Sequence, residues 1–278
     1  MKVLIMTNTS NEEIFEDIWI ADSFKQDGHD VCLVNIDYNE ELDSIYDVFI
    51  RRNTWFSDAS KISEYSSKCT NTVKRILDKD LSRINFNGTF DAKGKKYLLD
   101  LYNLGYPTIP TINNSGEINK LPLSDKYLLK PLKSYDGIGQ IRLSKEEINE
   151  KFTNEYIIQP IMSFISEVQF YFIGSDFQYA LEFRPSKIPT YPDAIPYIFT
   201  EEELKIATSF AKLNGKFYGI QRIDFIKLNS GEILLLEIED TAPYLDLDCV
   251  SLETREQFLK NYKDMVYNYV NIDYKKNN

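Results

Sequence analysis

Short apolar runs separated by turn residues alternate with stretches of helical spacing along this chain. Residues 2–6 form an apolar run of strand length, and Asn11 to Gln26 carries Ile14, Ile18, Ala21 and Phe24 on one helical face, stopped at Gly28. Residues 31–36 and 46–50 are again strand-like. Strand, helix, strand with short links is the grammar of a parallel βαβ unit, which predicts a first domain over residues 1–88.

The pattern then changes. A helix is predicted over Lys93 to Leu104, stopped by Gly105, followed by an extended Pro107-Thr108-Ile109-Pro110-Thr111. Strands are predicted over 126–130, 140–143 and 156–159, and Ser144 with Glu147 three positions on marks a helix start. From Val168 onward the alternation is that of antiparallel strands: 168–173, 177–183, 220–228 and 232–238, the last two joined at Asn229-Ser230-Gly231. Helices are predicted over 201–213 and 251–269. The fold class is thus α/β, turning α+β in the second half, with further boundaries that give units of 89–162 and 163–278.

Composition narrows the function. A chain of 278 residues with 43% apolar residues can bury a full core, and its net charge of −11 argues against nucleic acid or an anionic membrane as partner. No apolar run reaches the roughly 18–20 residues of a membrane span, and the N-terminus reads as a strand, not a secretion signal. Cys32, Cys69 and Cys249 are far apart, which fits a reducing cytoplasm. The single histidine, His29, sits at a helix–strand turn, so His-based zinc sites and most triad chemistry are disfavoured.

Three features carry candidate chemistry. Asp224 shares a strand face with Arg222, and Glu237 and Glu239 share a face on the next strand. Such a carboxylate group suits Mg²⁺, although spacing alone fits a solvated strand edge equally well. Lys130 at a strand end, followed by Ser134, Gly137 and Gly139, offers a charge and backbone N–H groups to phosphate, or forms an ordinary turn. Gln159, Ile161 and Met162 continue a strand as an extended segment that either reads an adenine edge or links two domains.

Taken in order, these features resemble the ATP-grasp superfamily. Leu128-Leu129-Lys130-Pro131-Leu132 is similar to the lysine strand of its glutathione-synthetase-like members. Arg52-Asn53-Thr54-Trp55, Lys95-Lys96-Tyr97-Leu98, Arg184-Pro185, Arg222-Ile223-Asp224 and Glu237-Ile238-Glu239 resemble the branch that includes the cycloserine-forming cyclo-ligase. The resemblance implies an N-terminal parallel domain and two α+β subdomains clasping ATP. It implies that Lys95, Lys130 and the loop of Ser134, Gly137 and Gly139 hold the phosphates, that Gln159, Ile161 and Met162 meet adenine, and that Glu167 takes the ribose. Asp224, Glu237 and Glu239 would hold magnesium, with two ions expected and Mn²⁺ an alternative metal. Arg184 would face the transferred phosphate, and Arg222, Arg52, Asn53 and Thr54 the substrate. Two departures stand out: Gln169 where glutathione synthetases carry arginine, and Phe56 where the nearer branch carries an acid.

The implied activity is an ATP-dependent ligation of a carboxylate to an amine through an acyl phosphate. Small-molecule carboxylate and amine substrates are the expected partners, and a homodimer is among the assemblies the resemblance allows. The alternative is a catalytically silent ATP-binding partner or regulatory protein.

Overall fold

A computed structural model describes residues 1–8, 15–35, 46–52, 82–85, 88–90, 94–134, 137–184, 194–215 and 217–277. Strand β1 (Lys2–Thr7) is flanked by β2 (Asp30–Asn35) and β3 (Val48–Arg51), with β4 (Ser82–Ile84) beyond β3, all parallel. Val3, Leu4, Ile5 and Met6 are buried on both sides of β1, which explains why that strand reads as a continuous apolar run. Helix α1 (Phe15–Gln26) connects β1 to β2 and ends where Gly28 takes a φ of 82°.

A second sheet, in the order β6-β5-β7, is antiparallel: β5 (Tyr127–Pro131), β6 (Ile141–Leu143) and β7 (Tyr156–Pro160). Helix α2 (Lys96–Asn103) precedes it and α3 (Lys145–Lys151) lies within it. Ser144 and Glu147 close a capping box on α3, as their spacing predicts.

The third sheet runs β10-β9-β8-β11-β12 and is wholly antiparallel: β8 (Phe164–Ile173), β9 (Asp176–Phe183), β10 (Ala194–Pro196), β11 (Ile220–Leu228) and β12 (Ile233–Glu239). One face packs Val168, Phe170, Phe172 and Phe225 under α4 (Glu201–Ala211). On the other face, Tyr171, Tyr179, Leu181 and Ile220 share a core with the first sheet, α1 and the final helix α5 (Leu252–Asn277). The remainder of that face is polar, and it holds the candidate site.

Differences from the sequence reading are local. Helix α5 runs past residue 269 because no Gly or Pro interrupts the stretch. Strands β4 and β10 have three residues each, too few for a period to show. Helix α4 tightens into a 3₁₀ turn over Lys212–Asn214.

Two connections join the sheets. Residues 107–112 cross from β12 to β7: Leu235 N–H donates to the Pro107 carbonyl at 2.8 Å, and Ile158 N–H to that of Ile112 at 2.8 Å. Asn85, with a φ of 63°, acts as a lateral cap on β11, donating to the Ile220 carbonyl at 2.7 Å and accepting from the Ile220 N–H at 3.0 Å. Asn85→Ala leaves both Ile220 groups without these partners, so unfolding in urea should show a loss of about 2 kcal/mol.

Candidate active site

The site is built on the β11–β12 pair. Asp224 lies directly opposite Glu237, and Arg222 opposite Glu239, so all four side chains share one face. A register shift between Asp224 and Phe225 keeps the two glutamates in step with that pair while Leu234 and Leu235 continue the ladder. On the other flank, β8 brings Gln169 opposite Asp224 and Tyr171 opposite Arg222, with Glu167 opposite Ile226.

Two cations hold these carboxylates. Arg222 grips both oxygens of Asp224 at 2.9 Å, reaches Glu239 at 2.9 Å and donates to the Tyr244 carbonyl at 3.3 Å. Lys95 pairs with Glu237. Burial, reinforced by Glu167 and Glu237, pushes the Asp224 carboxyl up to about 7 against the pull of Arg222.

Lys95 arrives from the second sheet's side. Its backbone N–H donates to the Leu132 carbonyl at 2.8 Å, and Gly94 beside it packs so closely on Leu132 that no side chain would fit. Tyr97, on the first turn of α2, accepts the Ile238 N–H at 2.8 Å. Lys130 on β5 is buried near Lys95, Glu237 and Glu167. Burial lowers its ammonium to about 8, aided by Lys95 and opposed by Glu237 and Glu167. Two lysines and three carboxylates therefore meet where the second and third sheets face each other.

The remaining sequence-predicted residues fall in different places. Ser134 hydrogen-bonds to the Pro131 carbonyl at 3.3 Å, and Gly137 and Gly139 both take positive φ, as a loop bending over β5 requires. Gln159 is buried, its side chain bonded to Thr111 at 2.9 Å. Ile161 continues the strand pairing to Lys126 at 3.0 Å, with its side chain part-exposed, and Met162 packs beside Ile109, Ile226 and Leu234 on the site face. Glu167 accepts from Gln169 at 2.9 Å.

Three arginines stand as follows. Arg184 is exposed and bonds Glu182 at 2.9 Å, and Glu182 lies opposite Val168, on the α4 side of the sheet. Arg52 is a buried, paired cation. It is 1% exposed, holds Asp17 at 2.9 Å, stands 3.6 Å from Glu16 and donates to the Pro243 carbonyl at 3.1 Å. Arg222 is in the site, but its guanidinium is occupied by carboxylates. Asn53 and Thr54 lie outside the described residues.

The donor chemistry fits a hard divalent cation, since three carboxylates share one face. As the side chains stand, however, no group of three His, Cys, Asp or Glu among the described residues is set for a metal, because Arg222 and Lys95 lie against the oxygens. Sequence reading singles out neither Tyr171 and Asp246, which meet beside this face, nor Glu16, which holds the Leu245–Leu247 turn. Tyr171 could have been flagged by its even spacing from Gln169 on one strand.

No protein-family model and no curated protein matches the sequence. Solved structures do. D-cycloserine synthetase DcsG superposes with a TM-score of 0.69 at 16% identity, covering 94% of this chain and 100% of that one. The ATP-grasp ligase PsnB, complexed with minimal precursor, Mg and ADP, gives 0.64 at 12% identity over 95% and 96%. D-alanine–D-alanine ligase from Bacillus anthracis gives 0.62 at 14% identity over 99% of both. The chain has the ATP-grasp fold. No helix among the described residues is long and apolar enough to cross a membrane.

Two outcomes follow from this geometry. Arg52→Met strips two buried carboxylates of their cation and should cost about 3–5 kcal/mol in urea unfolding, whereas loss of a mere substrate contact would leave stability unchanged. Lys130 has a folded pKa of about 8 against the usual 10.5, so its ammonium burdens the folded state fully below pH 8 and not at all above 10.5. Lys130→Met should therefore be more stable than the parent by about 3 kcal/mol at pH 7, with the gap closing by pH 10.5.

Proposed function

We propose that this chain is an ATP-dependent carboxylate–amine ligase of the cyclo-ligase-like branch, acting on a small amino-acid-like or peptide substrate. The observation that carries the reading is the meeting of Lys95 and Lys130 with Asp224, Glu237 and Glu239 between two sheets of an ATP-grasp fold. Lys130, fixed on β5, and Lys95 bind phosphate oxygens as point charges. The loop of Ser134, Gly137 and Gly139 covers the phosphates with backbone N–H groups. Gln159, Ile161 and Met162 meet the adenine at the end of β7, and Glu167 takes the ribose hydroxyls.

Asp224, Glu237 and Glu239 would hold two Mg²⁺ ions, or Mn²⁺ in their place, and the metal would supply charge neutralisation at the phosphate oxygens. Arg222 orients Asp224 and Glu239. In the reaction, a substrate carboxylate oxygen bonds the γ-phosphorus and the bond to ADP breaks. A nitrogen lone pair then attacks the acyl carbon, phosphate leaves, and the nitrogen gives up a proton. No protein nucleophile is required, in keeping with a chain that has one histidine. We assign such chemistry to the ATP-rich, reducing cytoplasm.

Purified protein with Mg-ATP and a panel of amino acids should form ADP only when an acceptor is present. Lys130→Met and Glu237→Gln should each lower that rate at least about 100-fold. ADP formation by neither parent nor any acceptor, with calorimetry showing that Mg-ATP still binds, would replace the ligase with the silent ATP-binding protein.

A further inference from the structure

The segment after β12 turns sharply against α1. Glu16 accepts the N–H groups of Leu245 and Leu247, each at 3.1 Å to one oxygen. For two N–H groups flanking one residue to converge on a single carboxylate, the backbone between them must reverse its curvature. Asp246 does so, with a φ of 49°. Glycine would adopt that conformation without steric cost, yet the position holds a carboxylate.

The surroundings of that carboxylate are unfavourable to it. Glu16 and Asp248 are near, and each nearby guanidinium already serves two acids: Arg52 with Glu16 and Asp17, Arg222 with Asp224 and Glu239. Among the described residues Asp246 pairs with no Lys or Arg, and its side-chain partner is the Tyr171 hydroxyl at 2.7 Å. Tyr171 sits opposite Arg222 on the site face and is also 2.7 Å from Gln169. One hydroxyl proton serves only one of these acceptors at a time. Tyr179, stacked on Tyr171 at 4.3 Å, donates to the Leu245 carbonyl at 2.5 Å and fixes the turn. A half-buried carboxylate is thus held against Tyr171 on the site face with no cation of its own among the described residues.

We propose that Asp246 is a specificity-determining residue that binds the protonated amino group of an amino-acid-like substrate, with Tyr171 orienting its carboxylate. The inference rests on the ligase reading for the identity of the site. An ammonium at Asp246 supplies the counter-charge the fold omits, and it selects substrates with a free amine over N-acylated ones.

Asp246→Asn and Asp246→Gly test it with free D- and L-amino acids and their N-acetyl derivatives as probes. Parent protein should form ADP with free amines and not with N-acetyl forms. Asp246→Asn should raise KM for the amine substrate about 10–100-fold while KM for ATP stays within about twofold. Asp246→Gly should melt no lower than the parent, since Tyr171 keeps Gln169 and the backbone relaxes. Equal use of N-acetyl probes, an unchanged amine KM in Asp246→Asn, or a clear drop in Tm for Asp246→Gly would each overturn the assignment. If the parent forms no ADP with any probe, the ligase reading fails and calorimetry with a nonhydrolysable ATP analogue and Mg²⁺ decides separately. Amino-acid binding lost in Asp246→Asn sustains the ammonium site, and absence of binding to the parent ends it.

Discussion

Carboxylates gathered on one half-buried sheet face repel one another, and the fold answers this with two borrowed cations. Arg222 lies within the same strand as Asp224 and spans to Glu239 across the ladder. Lys95 comes from outside the sheet to Glu237. The energetic demand is severe, because an unpaired charge in this setting costs several kcal/mol. Much of the architecture serves it. The closeness of Gly94 to Leu132, the Tyr97–Ile238 bond and the register of β11 against β12 all fix where those cations stand.

The two cations differ in what they are tied to. Arg222 is rooted in the third sheet and makes four contacts to it and the following loop, so it is a permanent part of the carboxylate face. Lys95 has its backbone anchored to Leu132 beyond β5 and only its side chain on Glu237. On the proposed reading, an arriving phosphate competes with Glu237 for that ammonium. Nucleotide binding then releases a carboxylate at the moment a divalent cation needs one, which couples the two ligands through one flexible side chain.

The sequence exposed periodic features well and contact-dependent ones poorly. Alternation along 220–228 and 232–238 revealed the hairpin, and its parity alone placed Asp224, Glu237 and Glu239 in pairs. Lys130 was legible because it ends an apolar run. The pairing of Arg184 with Glu182 on the α4 side was not legible, because it depends on Glu182 sitting opposite Val168. Arg52 could not be read as a buried support, since its partners Glu16 and Asp17 are about 35 residues away and Pro243 is 191 away. Asp246 was hidden for a similar reason: its backbone conformation is imposed by Glu16 from the opposite end of the chain.

The strand-like crossing at residues 107–112 is hydrogen-bonded to β12 at one end and to β7 at the other. Each attachment is a backbone bond to a buried strand, so neither end can slide without breaking strand pairing. The second and third sheets are therefore joined by a strap of fixed length. A relative motion that keeps both attachments is a pivot about that strap, like the covers of a book about its spine. A cleft governed this way admits a ligand by changing its angle while its floor, where Met162 and Ile109 lie, keeps its width.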